Sequence, residues 1–271
     1  TGANAGRAYV FLGGAAPDAT VDLTLSGAAA GDLFGFSVAE AGDVNADGFA
    51  EFVVAAPDLD AGGANSGRAY VFFGAAAPDA TADWILTGAA ATRLGTSVDG
   101  AGDVNADGFA DLVVGAEGTG LGRVDVFLGA AAPDPAPDAT AYGRSGGNIE
   151  CPEGSGSYED IWLTIGNAVA GLGDINGDGF ADVGWQGRPG GSACLAPGGS
   201  GEMTIGAGRS ALPPMDTAWT IYSPPADEGF GASVAGAGDT NGDGFGDLVV
   251  GAPATSSSRG RVHLYLGASS F

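Results

Sequence analysis

Short apolar runs recur along the chain, bounded almost everywhere by Gly, Pro, Asn or Asp. One set reads GRAYVFLG (6–13), GRAYVFFG (67–74), GRVDVFLG (122–129) and GRVHLYLG (260–267), rich in β-branched and aromatic residues and so predicted as strands. A second set, EFVVAA (51–56) and DLVVGA (111–116, 247–252), follows an acidic segment; a third, FGFSV (34–38), LGTSV (94–98), IGNAV (165–169) and FGASV (230–234), precedes it. A fourth comprises VDLTLSG (21–27), ADWILTG (82–88) and TAWTIYS (217–223). No stretch carries the 3.6-residue period of an amphipathic helix, so each unit reads as four short strands joined by tight turns.

The units are copies of one another. AGDVNADGFAEFVVAAP (41–57) returns as AGDVNADGFADLVVGAE (101–117), LGDINGDGFADVGWQG (172–187) and AGDTNGDGFGDLVVGAP (237–253). Repetition of a four-stranded unit predicts an all-β chain, a β-propeller of four-stranded blades, over residues 1–271. The repeats run near 28–88, 89–142, 161–223 and 224–268. The fourth strand near Ala139–Tyr142 is weak, residues 143–160 read as an inserted surface loop, and a weak strand of the GR type lies near Gly201–Ile205. The strands in 6–27 precede any acidic loop. They are expected to complete the last blade, or else to dock on a neighbouring subunit, and the number of blades stays open.

Composition narrows the partners. The formal charge is −24, with nine Arg and no Lys, so phosphate backbones are repelled and nucleic acid is excluded as a partner. No uninterrupted apolar run reaches membrane-spanning length, so no membrane insertion is expected. The 52 Gly and 14 Pro fit a chain dominated by turns. The two cysteines, Cys151 and Cys194, both fall where the repeat is disturbed and are compatible with one disulfide, which would place the chain outside the cytosol. The chain carries no signal-peptide pattern of its own, and a secreted or cell-surface location is expected.

The acidic segments carry the chemistry. Each reads D-x-N-x-D-G-x-x-[DE], with oxygen donors at alternate positions, the donor set a hard cation such as Ca2+ takes at six to eight ligands. The candidate ligands are Asp43, Asn45, Asp47 and Glu51; Asp103, Asn105, Asp107 and Asp111; Asp174, Asn176, Asp178 and Asp182; and Asp239, Asn241, Asp243 and Asp247. Phe49, Phe109, Phe180 and Phe245 would each add a backbone carbonyl, with their rings turned into the core. The glycine at the sixth position is expected at positive φ. Four Ca2+ sites are therefore expected. Zinc is disfavoured because the loops lack Cys and His, and magnesium because it requires tight octahedral geometry. EF-hand and dockerin loops begin alike but lie between helices, whereas strand sequences follow here.

With these residues in view, FGFSV…AGDVNADGFAEFVVAAP and FGASV…AGDTNGDGFGDLVVGAP resemble FG-GAP repeats of the integrin α-subunit kind. The resemblance implies repeats that straddle two blades, calcium loops joining the first and second strands of a blade, structural metals, and ligand binding on the opposite face. Integrin-like propellers have seven blades whereas four acidic motifs occur here, and Gly-Trp-Gln-Gly at 184–187 replaces Gly-Ala-Pro.

No catalytic constellation emerges. The single histidine, His263, occupies the slot of Tyr9, Tyr70 and Asp125, which reads as a solvent-facing strand position. Arg7, Arg68, Arg123 and Arg261 open equivalent strands and read as structural contacts to nearby acidic loops. The expected role is adhesion, protein binding or scaffolding. Self-association through unpaired blade edges is a second possibility, and sugar binding on Trp84, Trp162, Trp185 or Trp219 a third.

Overall fold

A computed structural model describes residues 2–14, 19–151, 157–190, 201–210, 217–224, 227–255 and 259–269. Strands β1 (Arg7–Val10) and β2 (Leu23–Ser26) form a hairpin. Then β3 (Val38–Gly42), β4 (Glu51–Ala56), β5 (Arg68–Phe72) and β6 (Trp84–Thr87) form a sheet in chain order. The next sheet repeats that order with β7 (Leu94–Gly102), β8 (Asp111–Ala116), β9 (Arg123–Phe127) and β10 (Ala139–Tyr142). It is followed by a five-stranded sheet of β11 (Arg144–Cys151), β12 (Ser157–Gly173), β13 (Asp182–Gly190), β14 (Glu202–Gly206) and β15 (Thr217–Tyr222). The last region has β16 (Asp227–Glu228), β17 (Ser233–Gly238), β18 (Asp247–Ala252), β19 (Ala254–Thr255) and β20 (Arg261–Tyr265). Of these, β17, β18 and β20 make one sheet, while β16 pairs with β19. All ladders are antiparallel, and no helix occurs among the described residues.

The expected four-strand unit is met by β3–β6 and β7–β10, while the next sheet has five strands and the last has three among the described residues; three finer expectations also change. Ala139–Tyr142 is a full fourth strand paired with β9. Residues 143–160 are not a plain loop, because β11 pairs with the first half of β12 from Arg144↔Leu163 to Cys151↔Ser157. The strands in 6–27 pair with each other and not with the last sheet, where β20 already holds the place a GR strand takes. The expected Cys151–Cys194 disulfide lies outside the described residues.

The apolar interior is a series of seams between neighbouring sheets. Leu25, with Ala8 and Val10, meets Phe34, Val54, Ala56 and Phe72. Val53, Val71 and Leu86 meet Val98, Leu112 and Val114. Val124 and Val126 meet Ile165, Val169 and Trp185. Met203 and Ile205 meet Phe230, Leu248 and Val250. Both faces of a middle sheet are therefore buried, which is why its second strand is apolar throughout instead of alternating.

In the four sheets that carry an acidic loop, the inner strand breaks register one residue before that loop. The shifts fall at Glu40/Gly42, Gly100/Gly102, Gly171/Gly173 and Gly236/Gly238. Such a bulge adds twist and turns the following aspartate out of the ladder.

Candidate metal centre

The bulge delivers the chain into a loop that closes on its own side chains. Asp43 accepts the N–H of Asp47 on Oδ1 at 3.1 Å and that of Gly48 on Oδ2 at 2.9 Å. Asn45 Oδ1 accepts the Asp47 N–H at 2.8 Å, and Asp47 Oδ1 accepts the Phe49 N–H at 2.9 Å. The same set recurs around Asp103, Asp174 and Asp239, with all distances between 2.8 and 3.1 Å. These short bonds tie the alternate side chains of each loop to the loop's own backbone. The bend requires positive φ at the sixth residue, and Gly48, Gly108, Gly179 and Gly244 sit at 91°, 94°, 90° and 94°, as expected from the sequence.

Carboxylate oxygens of Asp43, Asp47 and Glu51 lie within 4.8 Å of one another, close enough to share one ion. The ninth residue also has a second task. Glu51 accepts the Val44 N–H at 2.6 Å and the Gly74 N–H at 3.3 Å. Its counterparts are the shorter Asp111, Asp182 and Asp247, each fully buried and each holding the same two kinds of backbone N–H. Asp111, for example, takes Val104 at 2.8 Å and Gly129 at 2.7 Å.

Burial without a counter-charge dominates the electrostatics. Asp111 and Asp182 are each pushed up to about 7, first by burial and then by the two loop carboxylates beside them, against the pull of the backbone N–H groups. Burial raises Glu51 in the same way. Asp247 goes down, because the Thr240 hydroxyl bonds it directly. None of the ion pairs among the described residues uses a loop carboxylate. Three carboxylates gathered in the first loop without Cys, His or a basic partner are a donor set that fits a hard divalent cation; the other three loops repeat the hydrogen bonds, but among the described residues they do not bring three carboxylates as close together.

The loops also join neighbouring sheets, which the sequence did not reveal. The Asp43 and Val44 carbonyls accept the N–H groups of Ala110 at 3.0 Å and Ala130 at 2.9 Å in the next sheet. Asp103 and Val104 do the same for Ala181 and Arg209, and Asp174 and Ile175 for Gly246 and Ala268. Ser37 Oγ accepts the Val98 N–H at 3.2 Å, and Ser97 Oγ that of Val169 at 3.1 Å. One signal was present: a glycine closes every GR strand. A Cβ on Gly129 would lie 2.2 Å from the Ala110 carbonyl oxygen and 2.7 Å from that of Val44, so only glycine lets the sheets approach there.

Three further expectations are corrected. The ring of Phe49 is exposed and those of Phe109, Phe180 and Phe245 are half-buried; the side chains that plug the core are Val44, Val104 and Ile175, at the second loop position. Of the slot shared with His263, only Tyr9 is solvent-facing. Tyr70 packs edge-on against Phe34 and His263 against Phe230, while the buried Asp125 pairs with Arg123 at 2.9 Å and accepts the Thr140 hydroxyl. Two of the four arginines stay within their own sheets instead of meeting the acidic loops, Arg68 reaching Thr87 and the Tyr70 ring and Arg123 pairing with Asp125 on its own strand.

Antiparallel sheets of one repeated plan, standing face to face with an acidic turn between the first and second strands, define a β-propeller repeat protein. Residues 34–72, 94–127 and 230–265 match the FG-GAP repeat. The chain is 34% identical over 201 residues to integrin alpha-PS5 of Drosophila melanogaster, covering 70% of this chain and 18% of that protein. It is 32% identical over 165 residues to integrin alpha-IIb of Mus musculus (57% and 14%) and 31% over 171 residues to integrin alpha-3 of the same species (59% and 14%). The chain is an integrin-α-like FG-GAP repeat protein, and it spans less than a fifth of the length of these relatives.

Proposed function

We propose that this is a calcium-stabilised, non-catalytic β-propeller module that works outside the cell in adhesion or scaffolding, by binding a protein partner. The observation that carries the calcium part is one hydrogen-bond set, repeated in four loops, with three carboxylates gathered in the first of them without counter-charge. Asp43, Asn45, Asp47 and Glu51, and their three equivalent sets, would hold the ions, with a backbone carbonyl from each loop phenylalanine. Bound Ca2+ supplies positive charge at a point where the chain itself supplies none. The loop residues meanwhile fix the Asp43-type carbonyls on which the next sheet hangs, so the metal's role is to set the spacing of blades.

The adhesion part rests on the similarity to integrin α chains. The packing of His263 against Phe230 and Tyr265 fits a structural role for the one histidine. Self-assembly is a second reading, favoured by the exposed Val262, Leu264 and Leu266 on the last sheet. Sugar stacking gains no support from Trp84 and Trp185, which are buried, Trp84 with its Nε1–H on the Asp134 carbonyl.

Calorimetric titration with Ca2+ and thermal melts in Ca2+ and in chelator test this reading. Each site saturated a hundredfold above its Kd adds about 2.7 kcal/mol. At roughly 2–4 °C per kcal/mol for a chain of this size, the melting temperature is expected to rise by well over 10 °C, with four ions bound. No heat of binding and superimposable melts would defeat the proposal.

A further inference from the structure

We propose that a cavity at the outer end of the first seam, between β2 and the β5–β6 hairpin, binds a small arylalkyl amine whose ammonium pairs with Asp32. The site depends on neither the calcium nor the adhesion reading.

The cavity measures about 430 Å³, a size that holds a small ligand. Leu25, Phe34, Leu59, Tyr70, Phe72 and Ile85 give it an apolar wall. No residue of β1 lines it, and both of its sides, β2 and β5–β6, are paired strands, so the open edge of β1 is not part of it. Smaller side chains leave the space. Leu23 stands where Trp84 stands one repeat on, and Ala80 and Ala82 where Pro135 and Pro137 stand. At the next seam the Trp84 indole packs edge-on against Phe127, with ring centroids 6.3 Å apart, and its Nε1–H bonds the Asp134 carbonyl. Phe127 corresponds to Phe72, which here lines the cavity instead. An aromatic ring is therefore the body that the apolar part accepts.

Asp32 supplies the charge. It lines the cavity and is only 6% exposed. Its Oδ2 accepts the Ala29 N–H at 2.7 Å, whereas among the described residues Oδ1 has no donor and the carboxylate has no ion-pair partner. The turn itself does not require a charge. At the same place before the next inner strand, Thr92 serves it with a hydroxyl bond to the Ala89 carbonyl at 2.8 Å. A buried carboxylate with one oxygen unpaired gains most from a cation that donates hydrogen bonds. The other polar lining side chains, Thr24, Ser26 and Thr81, are neutral, and among the described residues no arginine lines the cavity. The net charge of −24 also repels an anion. An ammonium on a short chain from an aromatic ring meets both parts of the site.

The probe is tryptamine, titrated calorimetrically into the full chain beside its neutral and anionic analogues, tryptophol and indole-3-acetate. Saturable 1:1 binding of tryptamine is expected, at least tenfold tighter than either analogue. Asp32→Asn keeps an acceptor for the Ala29 N–H but loses the charge, and should weaken tryptamine at least tenfold while tryptophol binds as before. Glu40→Gln, which removes an exposed charge elsewhere, should leave both unchanged. Leu23→Trp puts the next seam's own indole into the space, and should abolish binding with no fall in melting temperature. Four results would overturn the proposal: no saturation at millimolar tryptamine, equal binding of amine and alcohol, full binding by Leu23→Trp, or equal losses in Asp32→Asn and Glu40→Gln, which would reduce the effect to bulk charge.

Discussion

The ninth residue of each loop holds two backbone N–H groups besides the cation we propose for it, and only the cation can be read from its spacing. Asp111 was legible as a candidate cation ligand because it repeats with Asp103, Asn105 and Asp107. Its hold on the Val104 and Gly129 N–H groups was not, since backbone donors leave no mark in side-chain order. The raised values of Asp111 and Asp182 fix a pH dependence. The fold favours the protonated acid, so this contribution is complete below the ordinary 3.8 and is lost as pH rises through about 7. Melts in chelator should therefore fall in midpoint from pH 5 to pH 8, and Ca2+ should remove that slope; a metal-free midpoint that climbs over the same range contradicts the assignment. Gly108 supports a second prediction. Nothing lies within 4 Å of a Cβ built there, so Gly108→Val suffers from φ 94° alone. Chemical denaturation should show a loss of roughly 1–3 kcal/mol, together with weaker Ca2+ binding.

Strands were legible where the apolar pattern is undiluted. The DLVVGA runs are buried on both sides and the GR runs are bounded by glycine, so their pairing order followed from repetition alone. The hairpin of β11 and β12 was not legible, because RSGGNIEC is poor in strand formers and owes its ladder to the neighbour lying beside it. The seam between loops belongs to this scale too. Gly129→Ala forces a methyl group against the Ala110 carbonyl of its own sheet and the Val44 carbonyl of the preceding one, and equilibrium unfolding should register a loss of roughly 1–3 kcal/mol. If the variant is as stable as the parent, close approach of the sheets is not what the glycine is for.

For the whole molecule, the apolar interior is divided among seams, so stability is local in character. Leu112 is fully buried between the second and third sheets, and Leu112→Ala should cost about 2–5 kcal/mol. Hydrogen exchange should locate that loss in β3–β10 and leave β17–β20 protected; uniform loss would mean one cooperative core instead. The slot shared by Tyr70, Asp125 and His263 was misread because alternation along a single strand cannot tell solvent from an adjoining blade.

The carbonyls of Asp43, Asp103 and Asp174 all point their acceptors toward the sheet that comes later in the chain, and the matching donors all point back. A stack wired this way has a sense, like bricks with studs on one side and sockets on the other. A gene segment copied in tandem would encode a unit that already fits both neighbours, and the near identity of 41–57 and 101–117 is the trace such copying leaves. Propellers of this kind can therefore grow or shrink by whole units without any new surface having to evolve.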